Sequence, residues 1–361
     1  ISTASNVASA VSNAPTKSKF MIVSNPDRHV ICFGTETTIG TLASQDPMFI
    51  RWSTRDNETD WTPSATNTAG SQRIVGGSKI VTAVRTRGQI LVLTDTSAHG
   101  MSFIGAPFVF GFQQLGSNCG AISPHSAIDV GGVSYWMSSE SFFVFDGTVR
   151  KLPCTVEDFV FDNIDTTQYE QVWAGSNSAY GEVMWFYCST ASNQVDRYVI
   201  FNYQENLWYT GSLDRSTWID SGTYPLPYAT EYDGTDSLLY VHESGKNDDG
   251  STMTSFIESG DFDIGDGEDI MFVKKLIPDF KDQVGNVNIT LKSRYFPTET
   301  QTSKGPFYHS TSGTKINPRT RGRQIAVRVE SNGYNGVSND DLNEDWRFGT
   351  FRFDVQPDGK R

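Results

Sequence analysis

Val133-Ser134-Tyr135-Trp136-Met137, Ser138-Ser139-Glu140-Ser141, Phe142-Phe143-Val144-Phe145 and Asp146-Gly147 follow one another without interruption, and this stretch decides the fold. Two short runs of β-branched and aromatic residues flank a polar turn, and the Asp-Gly pair that follows is a tight-turn signal, so the stretch reads as strand, turn, strand, turn. The same grammar extends in both directions. Further strands are expected at Phe20 to Val23, Val30 to Phe33, Phe49 to Trp52, Ile90 to Thr94 and Phe108 to Phe112, and then at Val183 to Tyr187, Tyr198 to Tyr203 and Leu238 to His242. Asp233-Gly234 marks another hairpin. Helical periodicity is confined to Thr155 to Trp173, where Thr155 is placed to cap a first turn carrying Glu157 and Asp158, and Asp165 or Thr166 to restart a second. That interval reads as a connector between sheets.

The intervals Ile90 to Gly105, Val133 to Gly147 and Val183 to Gly211 repeat the pattern loosely, at a spacing of about 40 to 55 residues that suits four-stranded propeller blades. On that arithmetic residues 19–265 hold about five blades; a β-sandwich of the same strands is the competing architecture. Residues 1–18, rich in Ser, Ala, Asn and Thr and opening at Ile1 without a methionine, read as a flexible linker in a portion of something longer. From residue 266 to 361 the strands become fewer and longer: Phe272 to Ile277, Val287 to Tyr295, Gln324 to Glu330 and Trp346 to Val355. This predicts a separate C-terminal sheet or sandwich, wet on one face where apolar and polar residues alternate. The fold class is therefore all-β, a propeller followed by a second β unit.

Among 361 residues, 37% are hydrophobic, 12% aromatic and 20% charged, with 32 Gly and 14 Pro, which excludes wholesale disorder and describes a turn-rich globular chain. No apolar run approaches the roughly 20 residues of a spanning helix. The 42 acidic residues outnumber the 29 basic ones, giving a field that repels nucleic acid and excluding a general DNA binder. The signs are segregated. Glu231 to Asp269 holds twelve carboxylates against Lys246 alone, whereas Met271 to Arg328 holds eleven Lys or Arg against three acids. Such blocks are either solvated faces or complementary patches that meet across copies in an assembly.

Chemical motifs are scarce. Phosphate loop, zinc helix and nucleophile elbow are absent, and His242-Glu243 lacks the second histidine of a zinc motif. Cys32, Cys119, Cys154 and Cys188 are far apart and read as separate thiols rather than a metal or disulfide framework. The acidic run Asp261 to Asp269 invites a calcium hypothesis but fails EF-hand spacing at Gly265-Asp266; no metal, cofactor or catalytic residue is assigned. Thr54 to Trp61 is similar to the Asp-box turn of sialidase-type propellers, with Glu58 where glycine belongs. Such a box is structural. Trp61, Trp208, Trp218 and Trp346 lie in polar contexts and are candidates for a contact surface.

Taken in order, several phrases resemble the nozzle or tail-stabilisation proteins of short-tailed bacteriophages. They are Pro26-Asp27-Arg28-His29-Val30, Ile50-Arg51-Trp52-Ser53 with Asp60-Trp61, Asn67-Thr68-Ala69-Gly70, Ile90 to Asp95, Val133 to Met137, Phe142 to Gly147, Leu152-Pro153-Cys154, Glu182 to Tyr187, Pro278-Asp279-Phe280 and Pro357-Asp358-Gly359. The likeness runs over nearly the whole chain from Lys19, and its specificity lies in the order of the phrases. It implies a non-enzymatic virion protein, assembled in the host bacterial cytoplasm, whose propellers form a hexameric ring below the portal and adaptor. Tail fibre or needle proteins are the further partners implied, and viral DNA passes through the ring without specific binding or membrane insertion. On this reading Asp248, Asp249, Asp261, Asp263, Asp266, Glu268 and Asp269 face the channel, and Arg319, Arg321, Arg323, Arg328 and Trp346 meet a neighbouring subunit. The rival expectation is a propeller that binds or degrades host-surface glycans; a third is a calcium-dependent adhesin.

Overall fold

The structure is a computed structural model that describes residues 10–232, 235–265, 267–333 and 342–360. Asp233-Gly234 and Asp266 lie outside the described residues. The chain divides into two compact units, Ile1–Glu243 and Ser244–Arg361.

Five antiparallel meanders build the N-terminal unit. The first sheet comprises Phe20–Val23, Val30–Phe33, Phe49–Trp52 and Gly70–Arg73; the second Ile80–Thr86, Gln89–Thr94, Ser97–Gly105 and Val109–Ser117. The third comprises Ala127–Val130, Val133–Met137, Phe142–Phe145 and Val149–Leu152; the fourth Trp173–Asn177, Glu182–Tyr187, Arg197–Asn202 and Leu207–Ser212. The fifth has three strands, Thr217–Ile219, Tyr228–Tyr232 and Ser237–Val241. The opening strands of sheets two to five lie side by side in succession, and each gap between consecutive sheets is filled by side chains. This is the β-propeller arrangement, not a two-layer sandwich.

The reason lies in period-two alternation. In the second sheet Ile90 and Val92 join a buried cluster with Ile50 and Trp52 of the first sheet, while Leu91 and Leu93 join Trp136 and Phe145 of the third. In the third sheet Tyr135, Met137, Phe142 and Val144 face the other way, against Val183, Trp185 and Tyr187 of the fourth. Met184, Phe186 and Cys188 then pack toward Trp218 of the fifth. Sheets two to four are buried on both faces, which is why their central strands read as unbroken apolar runs. Each step along the chain is an out-to-in connection, and opening strands begin at residues 20, 80, 127, 173 and 217.

Expected and observed strands coincide at residues 20–23, 30–33, 49–52, 133–137 and 142–145. The Thr155 to Trp173 connector is shorter in helix than expected: an α-helix spans Glu157–Phe161 and a 3-10 segment Thr166–Gln171. Asp165 caps the second through Thr167 N, but the first is capped by Val156 backbone with no side-chain bond, so Thr155 is not its cap. The expected linker also ends early, because Thr35 Oγ1 donates to Lys17 O at 2.7 Å and Lys19 N to Phe33 O at 2.9 Å, tying residues 17–19 to the first sheet.

The unit boundary falls at 243/244 instead of 265/266, because Phe256–Glu258 pairs with Gln324–Ser331. In the C-terminal unit a four-stranded sheet runs Phe256–Glu258, Gln324–Ser331, Val287–Arg294, Thr302–His309 in spatial order. A three-stranded sheet of Thr320–Gly322, Met271–Ile277 and Arg352–Pro357 shares a core with it, built on Ile289, Leu291, Ile325, Val327, Val273 and Leu276. Along Val287–Arg294 buried and half-buried positions alternate strictly, as the sequence pattern requires. The expected strand Trp346 to Val355 is two strands, Asp345–Phe348 and Arg352–Pro357, which pair with Phe280–Val284 and Met271–Ile277 respectively. Gly349 N donates to Asp279 O at 2.9 Å where the chain changes partner.

All four cysteines are free thiols; Cys32, Cys119 and Cys188 are buried. Burial pushes the Cys32 and Cys188 thiols up to about 11 and raises that of Cys119. Since the thiolate is the reactive form, these three are expected to react with a disulfide reagent at pH 8 far more slowly in native protein than in urea. Stoichiometric labelling of Cys32 at the denatured rate would mean that the face of the first sheet carrying Cys32 and Arg51, opposite the gap to the second sheet, is open.

Candidate functional site

The two charged blocks of the sequence meet each other, and they do so inside the C-terminal unit. Asp261 accepts from Arg294 and, at 2.8 Å, from Gln301 Nε2. Glu258 lies 2.6 Å from Lys292 Nζ and 3.1 Å from Arg328 Nη1, while Arg328 Nε reaches Glu330 at 2.7 Å and its guanidinium covers the Phe256 ring at 3.9 Å. Lys246 pairs with Asp345 at 2.7 Å and Lys360 with Glu268 at 3.2 Å. Residues 244–361 therefore hold 18 acids against 16 bases, and the surplus belongs to residues 1–243, with 24 acids against 13 bases.

This pairing sorts the residues singled out in the sequence. Arg328 and Asp261 are engaged by their own chain. Trp346 is half-buried and meets the Phe280 ring edge-on at 6.2 Å, part of the core rather than a contact surface. Trp61 is 3% exposed, and Trp208 and Trp218 pack against buried clusters, so these contact-surface candidates are also core residues. Arg319 and Arg321 flank buried Thr320 and are exposed; Arg321 lies 2.6 Å from Asp358 and over the Phe272 ring, and Arg323 lies over Phe296 at 5.2 Å. Lys304 Nζ reaches Arg319 O at 3.0 Å, adding a cation to that edge. Asp248, Asp249, Asp263 and Glu268 are exposed and Asp269 half-buried.

The Thr54 to Trp61 loop behaves as its sequence suggests. Asp60 accepts from Thr54 Oγ1 at 2.7 Å and from Asn67 Nδ2 at 3.0 Å, which holds its carboxyl below the usual range. Trp61 Nε1 donates to Glu58 O at 2.5 Å. The acid ties the loop and the indole closes it. Histidines are likewise absorbed into packing: His29 and His99 are buried, His125 stacks on Trp173 at 4.1 Å, and His309 packs on Phe280.

A second constellation, invisible in the sequence, lies between sheets four and five. Asn177 and Glu182 are directly opposed across neighbouring strands, on the face that presents Met184 and Phe186 to the fifth sheet. Tyr209 OH donates to Glu182 Oε1, and Asn177 Nδ2 donates to Glu243 Oε1 at 2.9 Å. Glu243 follows the last strand of the fifth sheet in the left-handed region, at φ 57°. Burial, reinforced by the Glu243 charge, pushes the Glu182 carboxyl up to about 7. Glu243 also raises the Tyr180 phenol, ahead of burial. Asn177 is 1% exposed, yet its Oδ1 has no partner. Nearby, a cleft of about 330 Å³ is lined by Trp173, Trp218, Tyr228 and Leu239. No group of three or more His, Cys, Asp or Glu side chains converges among the described residues.

No protein-family model matches the chain, and no curated protein matches its sequence. Solved structures give distant likenesses. One is titled a glycoside hydrolase, at 9% identity over 86% of this chain and 93% of that one, with a TM-score of 0.28. Another is a family 43 arabinoxylan arabinofuranohydrolase from Bacillus subtilis, at 10% identity over 92% and 94%, also at 0.28. A third is a Saccharomyces cerevisiae Dbp5 assembly with Nup159 and Gle1, at 8% identity over 89% and 90%, again at 0.28. Scores so low carry no argument about activity.

Proposed function

We propose that the chain is a structural subunit of a short-tailed phage tail, closing with like copies into a ring that extends the DNA-ejection channel. The observation that carries this reading is the ordered series of strand-and-turn phrases described above, which fall on successive sheets from Val30–Phe33 to Glu182–Tyr187. The acidic surplus of the N-terminal unit supports it, since a carboxylate-rich wall repels phosphates instead of replacing their counterions. In the C-terminal unit exposed Asp248, Asp249 and Asp263 serve the lumen; Asp261 and Glu268 do not, being paired with Arg294 and Lys360. Head-to-tail closure needs two different complementary patches, and the edge carrying Arg319, Arg321 and Arg323 supplies one of them.

Electron microscopy and light scattering of the full chain, alone and mixed with portal and adaptor rings, test the reading. A closed ring of hexamer mass that weakens with salt is expected. A protein that stays monomeric at every concentration and with every tail ring would overturn it, as would cleavage of a bacterial surface polysaccharide. Arg319→Glu, Arg321→Glu and Arg323→Glu together are expected to abolish most ring formation while leaving the melting temperature within a few degrees. Exposed pairs such as Arg321 with Asp358 are worth only about 0–1 kcal/mol to the fold. Unchanged assembly would remove the arginine edge from the interface.

A further inference from the structure

We propose that the outer edge of the fifth sheet takes up an extended strand of a partner protein, apolar at alternate positions and flanked by lysine or arginine, as the fourth strand this sheet lacks. Sheets one to four have four strands each and the fifth has three, ending at Ser237–Val241. That strand pairs on its inner side: Val241 stands opposite Tyr228 and Leu239 opposite Thr230, while His242 N donates to Pro227 O at 2.9 Å. In an antiparallel ladder, bonded and non-bonded pairs alternate. His242, Tyr240 and Leu238 therefore turn their backbone groups into the sheet, and Ser237, Leu239 and Val241 turn theirs outward. No strand pairs with that edge among the described residues. The strand holds no charge, proline or bulge, and Leu239 and Val241 are 67% and 45% exposed. Native sheets shield such an edge against pairing, and this one is left open to it.

The fourth sheet supplies an independent observation. The outer strand of sheet three is covered by that of sheet four: Leu152 is 5% exposed, and Trp208 Nε1 donates to Pro153 O at 2.8 Å. The outer strand of sheet four, Leu207–Ser212, has no such cover. Tyr209 lies in one row with Ile200 and Met184, on the face turned to the fifth sheet, and Leu207 lies in the row of Glu182. They are 39% and 60% exposed. A strand added beside Ser237–Val241, about 4.8 Å further out, extends the fifth sheet over these two side chains and buries them as Leu152 is buried.

Charge sets the class of partner. Glu243 follows the edge strand and Glu182 shares the Leu207 row, and neither pairs with Lys, Arg or His among the described residues. Exposed Asp236 precedes the strand. Pairing with the same strand of a second copy, about a two-fold axis at Leu239, would set Asp236 of each chain against the Glu243 end of the other. Like charges would then meet at both ends, a destabilising arrangement. A partner strand with cationic flanks meets opposite charge instead. Main-chain bonds give such a complex its affinity, and alternate side chains its register. This inference is independent of the tail assignment.

The probe is a fluorescein-labelled peptide, Lys-Thr-Val-Thr-Val-Thr-Val-Lys, titrated with the full chain and read by fluorescence anisotropy. Saturable one-to-one binding is expected. The reordered peptide Lys-Thr-Thr-Thr-Val-Val-Val-Lys, and the alternating peptide with glutamate flanks, should each bind at least about tenfold more weakly. Leu239→Pro removes an outward N–H and keeps the bonds to Tyr228–Tyr232, since proline is accepted where an edge N–H faces solvent. It is expected to weaken binding at least about tenfold with the melting temperature within a few degrees. Leu207→Ser should weaken it several-fold without touching that backbone, and decides the matter if Leu239→Pro loses its melting transition. Arg319→Glu, Arg321→Glu and Arg323→Glu together should leave it unchanged. Absence of saturable binding, equal binding of the reordered peptide, or native affinity in the Leu207→Ser protein would overturn the proposal. A fall in the mass of the unmixed chain on Leu239→Pro would make the occupant a second copy and overturn the partner assignment.

Discussion

Trp185→Ala is expected to destabilise the N-terminal unit by about 3–5 kcal/mol, the cost of emptying a large aromatic site in a packed core. Trp185 is fully buried, with its ring 4.8 Å from that of Phe142 in the facing sheet and 6.1 Å from that of Trp208. It is also a polar link across the same gap, since Nε1 donates to Ser126 O at 2.9 Å. Truncation therefore removes packing and orphans a carbonyl. The two costs can be separated. Trp185→Phe keeps most of the volume and loses the donor, and is expected to cost about 1–3 kcal/mol. Urea titrations read by tryptophan fluorescence and by far-UV circular dichroism supply both values. With total stabilities near 5–15 kcal/mol, the alanine variant should melt many degrees earlier. A loss below about 1 kcal/mol would mean that sheets three and four do not share the core described.

Arg215→Ala is the second large effect, expected at about 3–5 kcal/mol because it strands a partner charge. The guanidinium is 5% exposed. It reaches Glu231 Oε2 at 2.6 Å, Asp214 O at 2.8 Å and His242 Nε2 at 2.9 Å, and covers the Tyr240 ring at 4.0 Å. One side chain thereby joins the entry to the fifth sheet with the central strand of that sheet and the end of its last strand. The fifth sheet has little apolar burial of its own: Ala229 is its one fully buried hydrophobic residue among those described, and Leu238, Leu239 and Val241 are 39%, 67% and 45% exposed. Arg215→Lys should not rescue, since an ammonium cannot present the planar fork. Arg215→Met combined with Glu231→Leu should recover much of the loss, because replacing both members of a buried pair spares the orphaned charge. Hydrogen exchange localised to residues 217–241 is the suitable readout. A double variant no better than the single one would argue that the arginine acts through packing on Tyr240 rather than through its charge.

Much of this architecture is legible in the chain. Phe142-Phe143-Val144-Phe145 begins and ends where its composition says, because a strand buried on both faces leaves no room for polar residues inside it. Thr155 fails as a cap for a different reason. Propensity proposes a helix start, and the turn that links sheets three and four places Val156 there instead. Trp346 to Val355 reads as one alternating strand, yet it exchanges partners at Gly349, a choice made by two separate neighbours and recorded nowhere locally. The charge blocks were legible as blocks. Their mutual neutralisation depends on the pairing of Phe256–Glu258 with Gln324–Ser331, which brings Glu258 opposite Arg328. Glu182 and Glu243 are hidden for the same reason: one lies in the fourth sheet and the other just past the last strand of the fifth, and only the packing of one sheet on the next brings them together.

In the second, third and fourth sheets each inner strand gives alternate residues to the two neighbouring sheets. A strand that slips by a single position during folding would present the wrong set to both neighbours at once, so a mispaired intermediate forfeits contacts on two sides. Single substitutions that enlarge one face cannot be absorbed by shifting the strand. Accommodation has to come from the opposing blade, and lineages of this protein should change such residues in facing pairs, Leu91 with Trp136 or Phe142 with Trp185, rather than one at a time.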